Sequence, residues 1–227
     1  MQINRFKSMQ PVTPYAPFWN VPIGFTQWEE HSKINIIKEF LLNKEQQILE
    51  LEVTGDGGTG LTDDTTTTRY GKFNTFQFSN ECSELTDLLN FIRLQYLEFI
   101  KQDATQYYDL EIVSWYNIIR KGQGFNYHSH GEGHNSYLSG NMHFDNYPNS
   151  GTHYKVHDQN MVIPNIEGGL TLFPSSVIHK VDEYTEDFPR VSLAFDLYVY
   201  QPPYLCSGDD AVSLPFINQE IHEALND

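Results

Sequence analysis

From about residue 111 the chain breaks into short runs of strand length: 111–120, 125–130, 136–144, 161–163, 170–173, 177–181 and 190–200. They are rich in β-branched and aromatic residues, several alternate apolar with polar, and Gly, Pro, Asn or Asp punctuates the gaps. Runs this short and this closely spaced cannot build a helical bundle. They point to a mainly β domain, a sandwich or jelly roll, whose strands bury one face against a second layer.

The first half reads differently. Apolar positions Trp28, Ile34, Ile37, Phe40 and Leu41 suit one helix face, and Thr26-x-x-Glu29 has capping-box spacing, so a helix is expected over 26–43. A broader stripe, from Leu85 to Ile100, predicts a second helix over 83–103 with Asn80 or Ser83 as N-cap. Pro-punctuated residues 15–24 suit an edge strand, 48–53 alternates as a short strand, and the Gly- and Thr-rich residues 54–70 read as a surface loop. That loop lacks the Lys-Ser/Thr ending of a phosphate-binding P-loop. With no repeat or linker, the chain is expected to be one domain. In it, 1–110 is a helical and loop support, with its two helices on one sheet, 111–200 a jelly-roll core, and 201–227 a tail.

Composition narrows the function classes. Fourteen Lys and Arg against 30 Asp and Glu give a net charge of −16, which disfavours binding to the backbone of duplex nucleic acid. The 14% aromatic content argues against a disordered acidic chain. Cys82 and Cys206, far apart, form neither a disulfide framework nor a zinc ribbon. No apolar run approaches the length of a membrane helix or a signal h-region, so a cytoplasmic location is expected, that of a bacterial host if the gene is a phage's.

Histidine crowding marks the chemistry. Residues 128, 130, 134, 143, 153 and 157 are all His, and His179 follows in a later strand segment. Imidazole is a common ligand of iron, zinc, copper and nickel, and a His-x-His pair on a strand can direct both rings to one face. His128 and His130 can thus converge on one metal, with His179 as a third ligand from another strand. Arg190 and Ser192 share a face by the same alternation, opposite Val191, Leu193 and Phe195. An arginine directed into a β-barrel needs an anion, and its planar fork matches a carboxylate.

These residues carry a resemblance. Tyr127-His128-Ser129-His130, Gly168-Gly169-Leu170-Thr171-Leu172-Phe173-Pro174 leading to His179, and Arg190-Val191-Ser192 resemble the iron(II)- and 2-oxoglutarate-dependent oxygenases, most nearly those of phages and marine bacteria. The resemblance spans about 111–200, with weaker echoes in the glycine-rich text at 54–61 and in 69–74. It implies a double-stranded β-helix (cupin-like jelly roll) and Fe(II) held by protein ligands. The 2-oxoglutarate cosubstrate would chelate the metal, with its far carboxylate on Arg190 and Ser192 and Asn126 as a further contact. Trp115 and Tyr116 would wall the pocket. It also implies oxidative decarboxylation to succinate and CO2 coupled to hydroxylation of a substrate. The usual His-x-Asp/Glu pattern is departed from, since His130 stands where a carboxylate is common. Three ligand sets are therefore open: His128, His130 and His179; a set in which Glu132 supplies the carboxylate; or His128 and His179 with water. Two other functions stay open: a cupin-like three-histidine metalloenzyme that does not use 2-oxoglutarate, and a non-catalytic β-sandwich of a phage particle. The substrate, whether protein side chain, nucleotide or metabolite, and the oligomeric state are not legible in the sequence. The pocket mouth is expected at 54–70 and 146–160.

Overall fold

The structure is a computed structural model describing residues 1–101, 108–131, 133–147, 149–200 and 211–224. Eleven strands are described: β1 (Gln2–Lys7), β2 (Asn20–Gln27), β3 (Leu110–Ile119), β4 (Phe125–His128), β5 (Ser136–His143), β6 (Gly151–Val156), β7 (Gln159–Pro164), β8 (Gly169–Pro174), β9 (Ile178–Val181), β10 (Arg190–Val199) and β11 (Leu214–Ile217). They form a seven-stranded sheet in the order β1-β2-β8-β5-β10-β3-β11 and a four-stranded sheet in the order β4-β9-β6-β7. All pairs are antiparallel, and a cleft lined from both sheets lies between them. The architecture is the expected mainly β jelly roll.

Helices α1 (His31–Leu49) and α2 (Glu84–Ile100) cover the other face of the larger sheet. Ile34, Ile37, Leu41 and Ile48 of α1 and Leu85, Leu88 and Ile92 of α2 share one apolar core with Tyr116, Ile118, Leu193 and Phe195. A short helix, α3 (Gln219–Ala224), ends the described chain.

Four expectations from sequence are corrected. Helix α1 starts at His31 rather than Thr26, because Thr26 and Gln27 pair with Leu170 and Gly169 of β8; the sheet outcompetes the capping box. The alternating segment at 48–53 is no strand, since α1 runs on through Leu49. Residues 54–70 are not all surface loop: Thr66–Arg69 form a buried 3-10 turn whose polar groups find internal partners. Thr66 Oγ1 donates to Tyr116 O at 2.7 Å, and the Arg69 guanidinium donates to the carbonyls of Leu49 and Leu51 at the end of α1. Residues 151–156, read as part of a mouth loop, form β6, whose Tyr154 pairs with His179 of β9.

Candidate metal and carboxylate site

His128, His130 and His179 meet inside the cleft, each offering one ligand atom, with all three atoms within 4.8 Å of one another. His128 ends β4 and stands directly opposite His179 of β9. Between Phe125↔Val181 and His128↔His179 the register gains one residue on β4, a bulge that turns both Phe125 and His128 toward the cleft. Beyond the strand, His130 N donates to Ser175 O at 3.0 Å. This close approach needs Gly131, where a Cβ would lie 2.7 Å from the Ser175–Ser176 backbone.

Each ring is fixed through Nδ1. The partners are Asn126 O at 2.8 Å for His128, Val177 O at 3.1 Å for His179 and Asp196 Oδ1 at 2.7 Å for His130. A carbonyl or carboxylate can only accept, so Nδ1 carries a proton in each ring and Nε2 is the atom left to act as ligand. Burial, and next the neighbouring His130, lowers the His128 pKa to about 4, and burial foremost holds His179 well below its ordinary value. Two of the three rings are thus neutral at physiological pH, the form that binds metal. Phe173 meets the His179 ring edge-on at 4.9 Å between centroids, and Trp115 lies 5.4 Å from that of His130.

Arg190 opens β10 on the same cleft face as Ser192, and both are buried. The guanidinium lies 5.5 Å from the centre of the Phe125 ring, and its Nε and Nη1 have no hydrogen-bond partner. Its pKa is lowered to about 10, chiefly by burial, so it remains a cation at neutral pH. Among the described residues no carboxylate forms an ion pair with it, and Asp187, three residues before it, pairs with Lys121 at 2.8 Å. Across the β5–β10 pair His143 stands opposite Ser192, buried, with both ring nitrogens unpartnered. Unpaired groups at such density inside a fold mark a place where a polar ligand completes the hydrogen bonding.

Not every residue singled out from sequence comes together here. Asn126 is exposed and does not line the cleft, because the β4 bulge breaks the period-two alternation that would have set it beside His128. Its side chain instead abuts Gly60, where a Cβ would lie 2.2 Å from Asn126 Nδ2. Trp115 lines the cleft, whereas Tyr116 faces the helices and packs on Phe73. Glu132 lies outside the described residues. Two residues went unrecognised: Asp196 behind His130, and His143 beside Arg190. Asp196 was signalled, since an acid interrupts the apolar text of 190–199 in phase with Arg190 and Ser192.

The whole cleft has a volume of about 1240 Å³, and Thr54, residues 56–59 and residues 70–72 contribute to its lining. Among the described residues no helix is long and apolar enough to cross a membrane. No protein-family profile matches the sequence, and no curated protein matches it. Solved structures do match in fold. A Pseudomonas putida prolyl-4-hydroxylase aligns with a TM-score of 0.54 at 11% identity, over 78% of this chain and 92% of that one. The non-heme alpha-ketoglutarate-dependent carbocyclase SnoK from nogalamycin biosynthesis aligns with a TM-score of 0.53 at 12% identity, over 84% of this chain and 88% of that one. The two-sheet architecture of this chain is therefore the double-stranded β-helix.

Proposed function

We propose that the protein is an Fe(II)- and 2-oxoglutarate-dependent oxygenase that hydroxylates a substrate C–H bond with release of succinate and CO2. One observation carries the reading. A three-imidazole cluster anchored through Nδ1 shares a cleft with a buried guanidinium on the neighbouring sheet whose Nε and Nη1 are unpartnered. Metal and dicarboxylate sites side by side fit a chelating 2-oxo acid, and the fold is that of the prolyl-4-hydroxylase and the carbocyclase above. Fe(II) with 2-oxoglutarate supplies the oxidising power toward C–H bonds, using dioxygen.

The chain's own residues bind, orient and shield. His128, His130 and His179 would hold the metal. Arg190 would receive the far carboxylate of 2-oxoglutarate through its unpartnered Nε and Nη1, with Ser192 and His143 completing that end. Phe125 covers the guanidinium and keeps water from it, which strengthens the ion pair. Substrate would enter where Tyr127 and Ile178, both partly exposed, flank the histidines.

Anaerobic titration with Fe(II) and 2-oxoglutarate is expected to give a visible charge-transfer absorption at one equivalent of each, and admission of oxygen to release succinate. The absence of both 2-oxoglutarate binding and succinate release would overturn the reading. The all-imidazole ligand set favours a second reading, a three-histidine metalloenzyme with no 2-oxo acid. Under that reading the iron-loaded protein has no 2-oxoglutarate affinity, and substitution of Arg190 leaves its activity intact.

A further inference from the structure

Three imidazoles are neutral ligands, so the cluster alone brings no charge to a divalent cation. The hydrogen bonds behind the three rings are unequal. His128 and His179 each hold a backbone carbonyl, and only His130 holds a carboxylate, Asp196 Oδ1 at 2.7 Å. Asp196 is buried, its side chain only 8% exposed. Ser139, directly opposite on β5, donates its hydroxyl to the same oxygen at 2.6 Å, and the Tyr198 hydroxyl stands 3.4 Å from the other. No Lys or Arg of the described residues forms an ion pair with it. A buried carboxylate with no cation is strongly unfavourable, and among the described residues the basic group it touches is a ring whose other nitrogen faces the metal position.

We infer that Asp196 supplies the negative charge of the metal centre through His130, from one hydrogen bond behind the ligand. By accepting the Nδ1 hydrogen bond it makes His130 the strongest electron donor of the three ligands, and a divalent cation bound at Nε2 is the counter-charge the buried carboxylate lacks. The inference rests on the metal reading given above. Asp196 is a positioning residue in this scheme, touching the ligand rather than metal or substrate, and Ser139 holds its oxygen in place.

The test is the affinity of the metal-free protein for Co(II), measured by competition with a chelating indicator in wild type, D196N, H130D and the exchange variant H130D/D196N. Thermal unfolding of each metal-free form checks the fold. D196N is expected to bind Co(II) 10- to 100-fold more weakly, the usual cost of losing such a partner. H130D sets two carboxylates against each other and binds worse still. The exchange variant places one carboxylate on the metal with a neutral amide behind it, a two-histidine, one-carboxylate set, and recovers at least about tenfold over H130D. If D196N does not fold, Ser139→Ala decides instead, with an expected loss of about threefold. Wild-type affinity in D196N, or in Ser139→Ala where that variant decides, overturns the inference, as does an exchange variant no better than H130D. Wild-type protein that binds no Co(II) overturns it together with the metal reading. Co(II) binding without 2-oxoglutarate binding overturns only the oxygenase reading.

Discussion

The two faces of β10 are both buried, yet they follow different rules. Toward the helices the strand presents Val191, Leu193, Phe195 and Leu197, all fully buried in a continuous apolar core. Toward the cleft it presents Arg190, Ser192 and Asp196, buried almost as completely. The faces are separated by hydrogen bonding rather than by burial. No side chain of β10 on the first face needs a partner, and beside it only the Tyr116 hydroxyl goes without one among the described residues, whereas on and beside the second Arg190 Nε and Nη1, both nitrogens of His143 and Asn141 Oδ1 have none. Each such group costs about 1–3 kcal/mol of desolvation, more for the charged one. A strand shaped for stability alone would not carry them, so the helix side holds the fold and the cleft side spends part of that stability on a ligand.

Substitutions on the two faces should therefore have opposite signatures. The largest effect is expected at Phe195, whose ring is seated against Gly140 so closely that a Cβ there would lie 2.3 Å from it. Phe195→Ala should cost about 3–5 kcal/mol in denaturant unfolding. A loss under about 1 kcal/mol would mean that the helix-backed layer does not carry the fold.

Arg190→Met breaks the comparison from the other side. Removing a buried charge that has no internal partner should leave unfolding free energy unchanged or raise it by about 1–2 kcal/mol. Affinity for 2-oxoglutarate, read by the charge-transfer absorption of the iron-loaded protein, should fall about 100-fold or more, equivalent to about 2.7 kcal/mol. A stability loss as large as that of Phe195→Ala would make Arg190 a structural residue and remove the carboxylate site.

The same contrast governs what could be read from the sequence. The helix-backed sheet was legible, because period-two and helical periodicities record burial in an apolar layer: β3, β5, β8 and β10 lie within two residues of their expected bounds, as do β4, β7 and β9 of the smaller sheet. Polar strands were not: β1 is an edge strand with a largely polar sequence, and β6 alternates His153 and Lys155 with Thr152 and Tyr154, so both lack the apolar signal. The capping-box reading at Thr26 failed because a long-range pairing with β8 decides that segment. At the site, His128, His130, His179, Arg190 and Ser192 stood out through compact local spacing, and the structure brings all five to one cleft. Asn126 was misplaced by one inserted residue, since a bulge reverses every inside-outside inference across it. Asp196 and His143 matter through partners 66 and 47 residues away (196 − 130, 190 − 143), a relation that no local pattern carries.

The smallest expected effect sharpens the comparison through pH. His143 faces Ser192 across the sheet, with Arg190 as its charged neighbour and the Tyr147 ring 6.2 Å away. Burial first, then Arg190, hold its pKa well below the ordinary 6.5, so the fold keeps it neutral. The unfolded chain takes up a proton there as pH falls below about 6.5, and the folded chain does not. This contribution to stability is complete above pH 6.5 and is lost progressively below it, by at most about 1.4 kcal/mol per pH unit for one group. The helix-backed face of β10 has no titrating side chain and contributes nothing to this slope. His143→Leu should therefore narrow the stability difference of the metal-free protein between pH 7.5 and 5.5 by up to about 1.4 kcal/mol, measured by denaturant unfolding at both values. Identical differences in variant and wild type would mean that His143 is protonated or hydrated inside the cleft. The polar end around Arg190 would then already be satisfied without a ligand, and the distinction between the two faces of β10 would lose its functional meaning.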